Sequence, residues 1–159
     1  MVLNLNMKPT YHIIASAGIS LGIQATTHSW PATLGCFFSG VLIDVDHYVE
    51  YCLFRKTFPF RYQDLLDFLW DTRETKQYLI FHAYEYLFLF WSLIYLLHLG
   101  LVWIGIAIGL TTHLLFDQWT NPIKPLYYFL IFRMNNQFQK ERILTEQYFK
   151  ESVNQRGKV

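Results

Sequence analysis

Histidines and carboxylates recur in this chain at spacings that suit a metal ion. Asp44, Asp46 and His47 fall within four residues, His82 and Glu85 are three apart, His113 and Asp117 are four apart, and His12 stands alone near the start. Residues three or four apart share a helix face, so each pair can aim two donors at one place. Imidazole nitrogens mixed with carboxylate oxygens suit zinc, manganese or iron. Such an ion lowers the pKa of a bound water and polarises a phosphoryl or acyl oxygen, which is the chemistry of hydrolysis. Asp44, His82, His113 and Asp117 are the leading ligands, with Asp46 and His12 next. His47 and Glu85 are the candidates for general base, or for orienting a ligand imidazole.

The elements that must position these groups are apolar. The chain is 53% hydrophobic and only 16% charged, where a soluble domain carries about 25% charge. That shortfall points to a membrane protein. Apolar runs cover 9–27, 32–43, 78–98 and 101–116. The long ones approach the ~20 residues needed to cross a bilayer, and 32–43 crosses only if the helix continues through Asp44 to Tyr48. The first run has no small-residue cleavage site, so it reads as a retained helix and not a cleaved signal. Between the second and third runs, Tyr62, Leu65, Leu66, Leu69 and Trp70 recur at helical spacing with Asp64, Asp67 and Asp71 between them. This predicts an amphipathic helix on the membrane surface. The run 126–132 is too short to cross and reads as re-entrant or interfacial. The expected fold is all-α: an integral membrane helical bundle of about four transmembrane helices plus interfacial amphipathic helices. It occupies 1–134, and 135–159 form a polar cytoplasmic tail, helical and then frayed.

Charge gives the orientation. All 13 lysines and arginines lie before the first run, between the second and third, or after the fourth. By the positive-inside rule both termini and the middle loop are cytoplasmic, in a multi-pass inner-membrane protein. His12, the Asp44–His47 group, His82 with Glu85, and His113 with Asp117 then all fall at the cytoplasmic level. Four helices presenting inward His and carboxylate groups can build a metal site in a bundle. Ionisable groups at such depth suggest a site by default.

Gly105 and Gly109 continue the His113–Asp117 stripe by four-residue steps, and small residues let membrane helices approach closely. That face is expected to pack inward. Gly18 and Gly22 make a similar step in the first helix. His28 and His98 lie at the opposite end and read as interfacial, His98 near a helix C-terminus. Trp30, Trp103, Tyr11, Tyr48 and Trp119 read as interface anchors. Cys36 and Cys52 make neither a disulfide framework nor a zinc knuckle. A net charge of +1 leaves no nucleic-acid surface.

These residues resemble a known family. His12, the segment Gly40-Val41-Leu42-Ile43-Asp44-Val45-Asp46-His47, His82, and His113-Leu114-Leu115-Phe116-Asp117 are similar to the motifs of the YdjM-like bacterial membrane-bound metal-dependent hydrolases, which include LexA-regulated inner-membrane proteins. Ile43 stands where that family often has proline, and the segment around His82 lacks its usual Thr-His-Ser wording. The resemblance covers the chain to about Pro125 and implies a metal-dependent hydrolase without naming a substrate. A site at headgroup depth suggests a membrane lipid, or a lipid-linked phosphate or ester. Two other classes remain open on the sequence. One is a di-iron membrane redox enzyme, against which the chain lacks repeated Glu-x-x-His. The other is a non-enzymatic metal transporter or adaptor, whose ligands more often sit at midplane.

Overall fold

The computed structural model describes residues 9–58, 61, 64, 65, 68 and 75–150. Seven named helices follow in order: α1 (Pro9–Thr27), α2 (Trp30–Leu42), α3 (Val45–Arg55), α4 (Tyr84–Leu96), α5 (Leu101–Thr120), α6 (Leu130–Asn135) and α7 (Lys140–Ile143). The fold is all-α. Among the described residues there is no sheet, only the isolated bridges Lys76–Gln139 and Ile123–Leu144. The chain forms two compact units, one of Met1–Ile43 with Ala83–Asn121 and one of Asp44–His82 with Pro122–Val159.

The first unit holds α1, α2, α4 and α5. His28 ends α1 in the left-handed region, with φ 52, and Ser29 then caps α2 by accepting from the Ala32 N–H. Proline in the first turn of α2 gives up an amide that has no helical partner. α2 lies chiefly on α5, with α1 on α2 and α4 on α5. The α2–α5 contact is backbone to backbone. A Cβ added at Gly105 would lie 2.2 Å from the Ala32 carbonyl oxygen, and one at Gly109 would lie 2.2 Å from the Cys36 carbonyl oxygen. Ser39 Oγ reaches across to the Ile106 carbonyl at 2.9 Å, and Trp91 Nε1 donates to Thr111 Oγ1 at 3.0 Å to hold α4. The expectation for Gly105 and Gly109 therefore holds. Gly18 and Gly22 differ, because nothing lies within 4 Å of a Cβ at either. The inward stripe of α1 is His12, Ser16 and Ser20, all buried.

Only one described helix, α5, is long and apolar enough to cross a membrane, and a third of its apolar window is buried inside the protein. The run 32–43 stops at Leu42, turns at Ile43 and Asp44, and restarts as α3, so the expected continuation through Tyr48 is broken. The run from 78 is not helical until Tyr84. α2 and α4 thus have 13 residues each, about 20 Å at 1.5 Å per residue, which is short of a ~30 Å apolar core. α1 has the length but carries Ser16, Ser20, Gln24, Thr26 and Thr27.

The second unit is built on α3, α6, α7 and the turn 75–82. Leu65 and Phe68 are buried against Tyr48 and Tyr51. The rest of the expected amphipathic segment 62–71, apart from Asp64, lies outside the described residues, as does the tail beyond Lys150. The 126–132 run makes a turn and then α6, with Tyr127 and Tyr128 buried. Backbone bonds from Gln77 N–H to the Phe138 carbonyl and from Lys140 N–H to the Thr75 carbonyl fasten the turn to the C-terminal segment.

Candidate metal centre

In the first unit, α1 and α5 bring three groups together. His12 Nε2 lies 3.0 Å from Asp117 Oδ1, and His113 Nε2 lies 3.3 Å from Asp117 Oδ2. The His12 and His113 rings stack at 4.0 Å. All three side chains are buried. His113 Nδ1 sits 2.7 Å from the Gly40 carbonyl oxygen on α2. A carbonyl only accepts, so Nδ1 carries a proton, and Nε2 is the ring nitrogen on the Asp117 side.

The second unit assembles Asp44, Asp46, His47 and His82. Asp44 follows the α2 C-cap residue Ile43, and His82 precedes the α4 N-cap residue Ala83, so chain connectivity places both beside helix ends. Asp44 Oδ1 stands 3.5 Å from His47 Nε2 and 3.7 Å from His82 Nε2. Asp46 Oδ2 lies 3.2 Å from His82 Nδ1 and also accepts from the Phe81 N–H at 2.8 Å. His82 is fully buried. Burial pushes the Asp46 carboxyl upward, but the hydrogen bond and charge of His82, the Phe81 N–H and the charge of His47 outweigh it, and the net direction is down. An ionised Asp46 on Nδ1 makes Nε2 of His82 the nitrogen that could face a metal, the carboxylate–histidine arrangement usual behind a metal ligand.

One donor atom from each of Asp44, His82, His113 and Asp117 lies within 4.8 Å of the other three; the last three residues are buried. This Asp/His/His/Asp cluster can hold a metal ion. Ligand bonds of ~2.1 Å at tetrahedral angles put neighbouring donors about 3.4 Å apart, so the 3.3 Å His113–Asp117 distance already fits. Two nitrogens and two oxygens suit a borderline divalent ion.

The remaining expected residues fall around this set. His12 braces Asp117, Asp46 holds His82, and His47 lies beside Asp44 with its ring centroid 4.8 Å from that of His82. Glu85 is in the first turn of α4 and partly buried. His82 precedes that helix in a bend, so His82 and Glu85 do not share one helix face as the spacing suggests. His28 and His98, expected to be bland, are exposed residues with φ 52 and 50 just beyond α1 and α4.

Two groups were not anticipated as site residues. Arg133 of α6 is fully buried. Its guanidinium donates to the carbonyls of Tyr78, Leu79 (2.6 Å) and His82 (2.7 Å). It fixes the turn that carries His82, in which Leu79 holds a left-handed φ of 41. Glu50, one turn beyond Asp46, is 5% exposed and accepts from the Tyr78 N–H. Burial pushes its carboxyl up to about 7, against the Tyr78 N–H and the charge of Lys140. No sequence signal marks Arg133, which reads as one more basic residue after the fourth run. Glu50 was detectable, since it continues the Asp46 face at four residues.

No protein-family model matches the chain, and no curated protein or solved structure is similar to it.

Proposed function

We propose that this chain is a metal-dependent hydrolase of the cell inner membrane, acting on a lipid or lipid-linked phosphate or ester. The observation that carries the reading is the cluster of half-buried Asp44 with buried His82, His113 and Asp117. A membrane setting is supported by charge. Of 13 basic and 12 acidic residues, the first unit holds only Lys8, Glu85 and Asp117, while Tyr95, Leu96, Leu97, Leu101 and Trp103 among others lie exposed on it. An apolar surface of that extent marks a membrane or partner contact.

Asp44, His82, His113 and Asp117 would hold the ion. Asp46 and the Gly40 carbonyl keep both imidazoles in the tautomer that coordinates through Nε2, and His12 keeps Asp117 in place. A divalent ion bound there supplies an activated water and a polarising charge for the scissile phosphoryl or acyl oxygen. His47, beside Asp44, is positioned to take a proton from that side, and Glu85 is the second candidate for that role.

The test is elemental analysis after identical purification of wild type, Asp117→Asn and His98→Ala, followed by a phosphate- and carboxylate-ester lipid panel with and without chelator. Wild type and His98→Ala are expected to retain zinc, manganese or iron and to hydrolyse a lipid. Asp117→Asn keeps the helix but loses a ligand charge, and its metal content and turnover are expected to fall about ten- to a hundredfold. Metal retained equally by Asp117→Asn removes Asp117 from the site. Metal bound without hydrolysis favours a transporter or adaptor.

A further inference from the structure

Asp46, Val49, Glu50, Leu53 and Phe54 follow one another along α3 at steps of three, one, three and one, and so share one face. With Tyr78, Leu79 and Ile80 they line a cavity of about 400 Å³, within the usual range of small-ligand sites. The rim and base of this cavity differ in chemistry. Val49, Leu53, Phe54 and Ile80 are exposed apolar side chains, Leu53 most of all at 73%. Asp46 and Glu50 are both buried to 5% exposure. Asp46 Oδ2 is engaged by His82 and by the Phe81 N–H. Glu50 uses Oε1 for the Tyr78 N–H, and its Oε2 is buried with no hydrogen-bond partner. Buried polar atoms are nearly always satisfied, so a lone buried acceptor on a cavity wall asks for a donor.

The charges around Glu50 decide what kind of donor. Lys140 and Arg133 act on it favourably as cations, so a cationic ligand group would meet two like charges. An anionic group would meet Asp46 and Glu50. A neutral hydroxyl meets neither objection and can donate to Oε2 or, when Glu50 is protonated, accept from it. The apolar rim suits methylene groups.

We propose that this cavity seats one aliphatic chain ending in a neutral hydroxyl, with the hydroxyl on Glu50 Oε2 and the chain along Val49, Leu53, Phe54 and Ile80. As a binding site it stands on the cavity alone. As the alcohol-bearing arm of a lipid substrate it rests on the hydrolase reading, because Asp46 is shared between the cavity wall and His82.

The test uses the full chain in lipid nanodiscs with chelator present, so that the metal centre plays no part. A diazirine-bearing dodecan-1-ol is photolysed on the protein and the labelled peptides are mapped by mass spectrometry. Labelling is expected to saturate on peptides containing Val49, Leu53 and Ile80. Dodecan-1-ol is expected to displace the probe about tenfold better than dodecane, the worth of one hydrogen bond. Glu50→Leu is expected to abolish that preference, and Leu53→Trp, which fills the rim from an exposed position, to reduce labelling severalfold while circular dichroism stays unchanged. Label that does not saturate and is undiminished by Leu53→Trp overturns the site in favour of ordinary lipid contact. Equal displacement by dodecan-1-ol and dodecane in wild type overturns the hydroxyl. Saturable labelling in a protein that hydrolyses nothing when loaded with metal upholds the cavity and counts against the hydrolase.

Discussion

Arg133 is a buried cation whose hydrogen bonds all go to carbonyls of the turn 78–82. Hydrogen bonds from a charged donor contribute about 1.5–3 kcal/mol each, and a planar guanidinium can serve three acceptors that a lysine ammonium at the same place cannot reach together. Arg133→Lys is expected to fold and to bind zinc about tenfold more weakly, because the His82 turn loosens while the charge stays. Arg133→Met leaves three carbonyls, those of Leu79 and His82 buried, without their donor, and a destabilisation of about 3–5 kcal/mol is expected. Zinc titration of the lysine variant, set beside thermal unfolding of both, checks this. Unchanged zinc affinity in Arg133→Lys would make Arg133 a part of the core only. At this scale the sequence shows residue types and local spacing and little else. His113 with Asp117 is legible because one turn of helix joins them. Asp46 with His82 is not, because 36 residues separate a bond that forms only when the turn docks. Arg133 is invisible for the same reason, being 51 residues from the His82 carbonyl it holds.

Glycine placement decides which helix faces meet. Gly105 and Gly109 put the α5 backbone against α2, and His113 and Asp117 follow on the same stripe, so the stripe that packs is also the stripe that carries two candidate ligands. An alanine at Gly105 would place its Cβ 2.2 Å from a backbone oxygen, and neither backbone can yield without parting the helices. Gly105→Ala and Gly109→Ala are each expected to lose about 1–3 kcal/mol or more, and Gly109→Ala to lose metal as well, since His113 is one turn away. Gly18→Ala enters open space and is expected to be neutral, or stabilising by up to about 1 kcal/mol through helix propensity. Thermal midpoints and metal contents of the three variants check the contrast; equal loss in all three would mean that close packing is not what sets the site. Two glycine pairs with the same spacing thus do different things, and spacing alone could not separate them. What separates them is the neighbour: α1 turns His12, Ser16 and Ser20 inward instead. The apolar runs located four helices correctly, but not the breaks at Ile43–Asp44 and before Tyr84. Those breaks place Asp44 and His82 in turns, where backbone conformation is set by tertiary bonds such as Phe81 N–H to Asp46 and not by local propensity.

Charge is partitioned along the whole chain in a way that no single helix reveals. Lys8, Glu85 and Asp117 are the charged residues of the first unit, and the second unit carries the remaining 22. A soluble protein would scatter charge over all its surfaces. Among the described residues only α5 qualifies as a span by length and apolarity, so the case for a membrane rests on this partition and on the exposed apolar side chains more than on a count of spans. If the first unit is embedded, the basic residues place the loop after Asp44 and the segment after Pro122 on the cytoplasmic side, because translocating lysine and arginine is disfavoured. The turn at His98–Gly100, which has no basic residue, then faces outward. Single-cysteine labelling separates the two orientations. Cys52→Ala provides the background, since Cys36 is buried; Thr57→Cys and Gly100→Cys supply exposed probes, and a Cβ at Gly100 meets nothing within 4 Å. In intact cells a membrane-impermeant maleimide is expected to label Gly100→Cys and to miss Thr57→Cys until the membrane is opened. The reverse pattern would invert the protein and expose the metal centre to the outer face, where a cytoplasmic lipid could not be its substrate. Labelling of both probes in intact cells would mean that the first unit does not separate two compartments, and its apolar surface would then belong to a protein partner.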